Sequence, residues 1–272
     1  MSRVCAFGPF AELSAYAAAV AGLSVSSGLT DDVRGAVAVV PGAGDWWQGM
    51  LAARSRGASA VVLADPGVLP HSTIDRGQWD GGIPVIVERP RLRPDVVADA
   101  VRARRGSPAR LVTVECAAPA TGLSGVILDG VGWVRSLAGA PLAPRAAAAT
   151  VNGRMALLEF EGADGAVPAT VVGTPLGGLQ AGGLLQVLAL GEVRTEITVD
   201  EPAGLSRVET LAEEGAFRSP PRYESSARLA LRHAITACSS GDPTGDLQGL
   251  LEDSALTRAL LDFPAVSCKP VV

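Results

Sequence analysis

The sequence predicts a chain in two parts: an α/β part on a short parallel sheet, then an α+β part on an open antiparallel sheet with closing helices. Three observations predict it. Ala36 to Pro41 is an apolar run, Asp45 to Arg56 has a helical pattern, and Ala58 to Pro66 is a second apolar run behind Gly57. Strand, crossover helix and strand in that order make a parallel βαβ unit. Asn152-Gly153 lies between two strand-like runs and marks a tight hairpin. Finally, Tyr223 to Cys238 and Leu247 to Phe263 read as two closing helices, the second with Leu247, Leu250, Leu251, Leu256, Leu260 and Leu261 on one face.

Taken in order, Arg3 to Phe7 is a strand, Gly8-Pro9-Phe10 a turn and Ala11 to Ala21 an alanine-rich helix. This is where a dinucleotide-binding fold carries GxGxxG. Gly8 stands at the first glycine, but Phe10 and Leu13 occupy the second and third. Phe10 puts a bulky side chain where the backbone must approach a pyrophosphate. The next strand, Leu23 to Ser27, ends without a ribose-binding acid, and Asp31 and Asp32 read as a loop or helix-start pair. Only about ten residues separate that strand from Ala36, too few for a helix and a strand. The first part, residues 1–110, is therefore an abbreviated Rossmann-like domain.

In parallel sheets ligands sit beyond the carboxyl ends of the strands. Here those ends are Pro41-Gly42-Ala43-Gly44 and Ala64-Asp65-Pro66. Asp45 is a good N-cap for the crossover helix, and Trp46 and Trp47 behind it either pack the core or wall a pocket. A loop with His71 and Trp79 leads to the strand Ile83 to Val87. Arg91-Leu92-Arg93-Pro94 then opens a helix over Asp95 to Arg105. Arg91, Arg93, Arg102, Arg104 and Arg105 make a solvated basic face or, alternatively, an anion site; Arg89 and Arg93 suit a carboxylate or phosphate as well as a salt bridge.

Residues 111–272 form the second part. Leu111 to Cys116 is a strand, and Gly125 to Leu137 has helical spacing and is stopped by Gly139-Ala140-Pro141. Strands follow at Ala147 to Val151, Met155 to Phe160, Ala169 to Gly173, Leu184 to Ala189 and Glu192 to Val199. In the last, Glu192, Arg194, Glu196 and Thr198 alternate with Val193, Ile197 and Val199, which implies one wet face and an antiparallel sheet.

The 272 residues are 48% hydrophobic and 19% charged, an ordinary globular balance with room for a real core. A net charge of -5 provides no basic field for nucleic acid or an anionic membrane. No stretch reaches about 18 uninterrupted apolar residues, and Met1 to Cys5 lacks a signal-peptide core, so the expected location is the cytoplasm. Cys5, Cys116, Cys238 and Cys268 are too scattered for a zinc site or a disulfide framework. Lys269 is the one lysine, and His71 and His233 are the histidines. With the abundant Ala, Gly, Pro and Val, that resembles the composition of a high-GC actinobacterial genome.

The order of elements resembles the glucose-fructose oxidoreductase and inositol dehydrogenase family (Gfo/Idh/MocA). Val39-Val40-Pro41 is similar to its Thr-Pro strand end, Arg56-Gly57 with Ala60 to Pro66 to the segment finishing in Glu-Lys-Pro, and Arg91-Leu92-Arg93-Pro94 to its Arg-Phe-x-Pro segment. Gly125 to Gly139 resembles its sheet-entry helix, and Pro243 to Leu261 its closing helix. The resemblance implies NAD(P), a small-molecule substrate, cofactor contacts at Gly8, Phe10 and Pro41, and substrate contacts at Asp45, Trp46, Arg93 and Trp133. It also implies oligomer contacts on the open sheet, with a second copy or an active homologue. Asp65 stands at the position of the family's catalytic lysine. Asp129 and Trp133 stand at its Asp-x-x-x-His pair, so the histidine is missing.

Three readings follow. The first is a divergent member that binds a small molecule or acts as an accessory subunit without ordinary dehydrogenase chemistry. The second is an NAD(P)H-dependent reductase of an imine or keto substrate, similar to thiazolinyl imine reductases, whose opening segment Gly8-Pro9-Phe10 and Tyr16 faintly resemble; Asp65, Asp129, His71 or water would donate the proton. The third is a lyase, isomerase or cyclase with Asp65 and Asp129 as acid and base. His233 beside Arg232 reads as a packed or solvated helix residue.

Overall fold

The computed structural model describes residues 2–6, 13–23, 27–69, 82–178, 181–240 and 244–263. Gly8, Phe10, His71, Trp79, Cys268 and Lys269 lie outside them. The first elements are β1 (Ser2–Ala6), α1 (Ser14–Ala21), β2 (Ser27–Leu29), β3 (Val37–Pro41), α2 (Trp46–Ser55), β4 (Ala60–Ala64), β5 (Val85–Glu88) and α3 (Pro94–Ala103). Then come β6 (Leu111–Ala118), α4 (Leu123–Ala138), β7 (Ala143–Thr150), β8 (Gly153–Gly162), β9 (Gly165–Pro175), β10 (Leu184–Leu190), β11 (Arg194–Asp200), β12 (Leu205–Ala212) and β13 (Gly215–Arg218). Two helices close the chain, α5 (Ser226–Ser240) and α6 (Asp246–Leu261). No helix among the described residues is long and apolar enough to cross a membrane.

Two compact units result, and each draws on two stretches of sequence: Met1–Pro90 with Arg222–Glu252, and Arg91–Pro221 with Asp253–Val272.

The first unit holds a parallel sheet in the order β2-β1-β3-β4-β5. Strands β3 and β4 are apolar on both faces because both are covered. On one side Val37, Val39, Ala60, Val62 and Ile86 pack against α1 and α5. On the other, Val40 lies directly under Gly49 of α2, with Trp47 and Met50 fully buried. The second strand is described at Ser27–Leu29 and runs beside β1, with Ser2 opposite Ser27 and Val4 opposite Leu29; Ser24, Val25 and Ser26 of the expected strand lie outside the described residues. The edge strand β5 is covered by side chains: Thr244 Oγ1 donates to Val85 O at 2.5 Å, and Val87 N donates to Asp246 Oδ2 at 3.3 Å. Capped edges of this kind resist pairing with other chains.

The second unit is an eight-stranded sheet, β13-β12-β11-β10-β6-β9-β8-β7. It is mixed rather than antiparallel throughout. β6 lies in the middle and pairs parallel with β9, Val114 opposite Val171, while every other pair in this sheet is antiparallel. The chain leaves β6 through α4 and returns by the β7–β8 hairpin, so β9 arrives in the direction of β6. The hairpin closes at Thr150 and Gly153, where Asn152-Gly153 predicts it. Strands β12 and β13 were not expected; Val208 and Thr210 alternate with the half-buried Arg207 and Glu209 too briefly to stand out. Helix α4 packs flat on the sheet because Gly130 has no Cβ: one would sit 2.9 Å from both Cys116 Sγ and Val114 Cγ1. The core around it includes Trp133, Val131, Ile127, Leu185 and Leu158.

Candidate functional site

In the first unit the carboxyl ends of β3, β4 and β5 are tied to one another. Gly42 N donates to Ala64 O at 2.8 Å, Gly67 N to Gly42 O at 3.0 Å and Asp65 N to Glu88 O at 2.9 Å. A Cβ on Gly42 would fall 2.3 Å from the carbonyl oxygens of Ala64 and Asp65, so glycine is required there by the chain's own packing. Trp46 is buried and its Nε1 donates to Gly67 O at 2.8 Å, which pins the loop after β4. Asp45 is exposed and caps α2 by accepting from Gln48 N at 3.1 Å. Pro41, half-buried, is the last residue of β3.

Asp65 is exposed at the end of β4 with φ 48°, in the left-handed region that few residues other than glycine, asparagine and aspartate enter. Beside it is a residue that the sequence reading did not single out. Glu88, the last residue of β5, is buried. Burial pushes its carboxyl up to about 7; the Asp65 charge adds to that, while contacts from Ser226, Tyr16 and the Asp65 backbone favour the ionised form and limit the rise. The buried Tyr16 hydroxyl lies against that carboxyl without a well-formed hydrogen bond, and burial and the Glu88 charge push its pKa up as well. The signal for Glu88 was one acidic residue closing the apolar run Val85-Ile86-Val87, on the same face as Ile86.

In the second unit, Asp129 and Trp133 belong to an interior network. Arg91 Nε donates to Asp129 Oδ2 at 2.6 Å, and Arg91 Nη1 to both Glu201 oxygens at 2.9 Å. Trp133 Nε1 donates to Arg91 O at 2.8 Å. Asp129 is 1% exposed and Trp133 0%. The Cys116 thiol is held protonated by burial, with the Asp129 charge a further cause. Arg93 is bound to Asp95, with contacts of 3.0 and 2.9 Å.

The basic cluster is thus not one solvated face. Arg91 and Arg104 are buried, and Arg104 donates to the carbonyls of Ser107, Ala189 and Val193 and to Thr195 Oγ1. Arg102 pairs with Asp99 and Arg105 with Glu214.

β2 ends in Leu29 rather than an acid, and Asp32 Oδ1 accepts from Arg34 N at 3.0 Å, closing its own turn. Among the described residues no group of acidic, histidine or cysteine side chains is placed to hold a metal.

No protein-family model and no curated protein matches this sequence. Solved structures do match. KijD10, a 3-ketoreductase from Actinomadura kijaniata in complex with TDP-benzene and NADP, superposes with a TM-score of 0.69 over 97% of this chain and 99% of its own, at 14% identity. The dehydrogenase MviM from Clostridium difficile gives 0.66 over 96% and 99%, at 8% identity. An oxidoreductase from Sinorhizobium meliloti gives 0.64 over 96% of each chain, at 12% identity. The fold is that of the Gfo/Idh/MocA oxidoreductases. At these identities the likeness carries the fold alone, and the residues decide the chemistry.

Proposed function

We propose that this chain keeps the Gfo/Idh/MocA fold without its ordinary dehydrogenase chemistry, as a small-molecule-binding protein or accessory subunit. The observation that carries the reading is the Arg91–Asp129–Glu201–Trp133 network. In the resembling family the positions of Asp129 and Trp133 face the substrate and move its proton; here both side chains are spent inside the unit. Asp65 stands where the family has lysine and carries the opposite charge. A hydride transfer needs a bound nicotinamide and a group that handles the alcohol proton, and the described residues supply neither well. Gly8 and Phe10 are the remaining cofactor contacts that the resemblance implies. Asp65, Asp45 and Pro41 at the strand ends are where a ligand would touch the first unit.

The open face of the second sheet supports an oligomer with a second copy or an active homologue. Thr113, Glu115, Gln186, Glu196, Thr198 and Arg207 line a shallow hollow of about 280 Å³ there, with acidic and basic groups side by side. A full chain that sediments as a monomer even with such a homologue present removes this part of the reading.

One observation favours an NAD(P)H-dependent reductase instead. Glu88 is a buried acid that titrates near neutrality at a strand end, the kind of group that donates a proton in enzymes. The two readings part on turnover. Incubated with NADPH and a panel of keto and imine compounds, the protein is expected to leave the absorbance of the reduced cofactor unchanged; enzyme-dependent oxidation with any of them establishes the reductase.

A further inference from the structure

Arg104 stands apart from the other arginines of its cluster. It is 4% exposed, sits at the carboxyl end of α3, and every group that it bonds is neutral. Nε donates to Ser107 O at 3.2 Å, and Nη1 donates to Ala189 O at 3.4 Å, Val193 O at 3.0 Å and Thr195 Oγ1 at 3.2 Å. Its neighbours are paired with acids, Arg102 with Asp99 and Arg105 with Glu214. Among the described residues no carboxylate acts on Arg104, and burial is the cause that lowers its pKa. A guanidinium keeps its proton all the same, so the buried charge is permanent.

Two donors at this place are left over. Arg104 Nη2 and Ser107 Oγ are buried and bond nothing among the described residues. A buried donor without an acceptor and a buried charge without a counter-charge are both costly. The corner is built polar. Thr195 and Thr210 face each other at inward positions of β11 and β12, with their hydroxyls 3.4 Å apart, whereas the next inward pair, Ile197 and Val208, is apolar. On the outer side, Gly191 of the β10–β11 turn is exposed, and a Cβ on it would come 3.4 Å from Nη2. The guanidinium therefore lies shallow, under the spot where a side chain would otherwise stand. That side chain is barred, because the same Cβ would fall 2.5 Å from Pro108 O.

We propose that Arg104 Nη2 and the Ser107 hydroxyl hold a small inorganic anion of chloride's size, between the end of α3 and the β10–β11 turn. One such ion accepts from both donors and offsets the charge; a water molecule would serve the donors and leave the charge. A phosphate or sulfate needs more donors than these two, and the carbonyls of Ser107, Ala189 and Val193 that surround the guanidinium would repel its outer oxygens. The ion ties the loop after α3 to the turn before β11. This site goes beyond the functional reading above and stands whether or not a cofactor binds.

The test is urea unfolding of the full chain with sodium chloride replacing sodium gluconate at a constant ionic strength of about 0.15 M, so that screening does not change. The unfolding midpoint should rise saturably with chloride; at about ten times the dissociation constant the unfolding equilibrium constant falls roughly elevenfold. The chloride NMR line should broaden with folded protein and sharpen again in urea. Arg104→Met should lose both effects, Ser107→Ala should need several times more chloride, and Arg105→Gln, at the exposed neighbour, should respond as wild type does. A midpoint that ignores chloride overturns the site, as does a response unchanged in Arg104→Met. Where that variant does not fold, an unchanged response in Ser107→Ala overturns it.

Discussion

Arg91→Ala is expected to lower the unfolding free energy by about 3–5 kcal/mol, the range for removing one partner of a buried ion pair. Arg91 serves two carboxylates at once, Asp129 at 2.6 Å and Glu201 at 2.9 Å, and its carbonyl accepts from Trp133. Truncation takes from Asp129, 1% exposed, the guanidinium that bonds it at 2.6 Å, and the buried charge loses that compensation. Removing both members relieves that cost. Arg91→Ala with Asp129→Ala should therefore lose clearly less than the sum of the single changes in urea unfolding followed by circular dichroism. Strict additivity with small single losses would show that the network does not hold α4, and that Asp129 is available for other work.

Trp133→His is expected to cost a similar amount, about 3–5 kcal/mol, because a fully buried tryptophan gives way to a smaller, polar ring. The indole fills the layer between α4 and the sheet with Val131, Val134 and Leu137, and its Nε1 satisfies Arg91 O. The substitution restores the residue type that the resembling family has at this position. On the present account it brings no reductase activity, because the site around it is packed and ion-paired. The check is a thermal melt beside an NADPH turnover assay: a variant as stable as wild type, or one that gains turnover, would show that position 133 still opens on a substrate.

Much of this organisation was legible in the residues. Val37 to Pro41, α2 with its Asp45 cap, and Ala60 to Ala64 follow from apolar runs and a capping signal that local physics fixes. The β7–β8 hairpin follows from Asn152-Gly153. What stayed hidden depends on partners distant in sequence. The parallel β6–β9 pair is a matter of chain routing, which no periodicity records. Arg91 read as part of a solvated basic cluster because its two acids lie 38 and 110 residues away. Glu88 drew no notice because its neighbours Tyr16 and Ser226 come from helices near opposite ends of the chain. The candidate site was half visible: Asp65 and Asp129 were marked for their positions, but the burial of one and the exposure of the other emerge only in three dimensions.

The most direct test of the central claim, that the fold is kept and the ordinary dehydrogenase chemistry is not, is a calorimetric titration of the full chain with NADPH and with NADH. No binding heat is expected up to millimolar cofactor. Saturable binding at micromolar concentration would contradict it and make the chain a reductase whose proton donor is to be sought at Glu88 and Asp65.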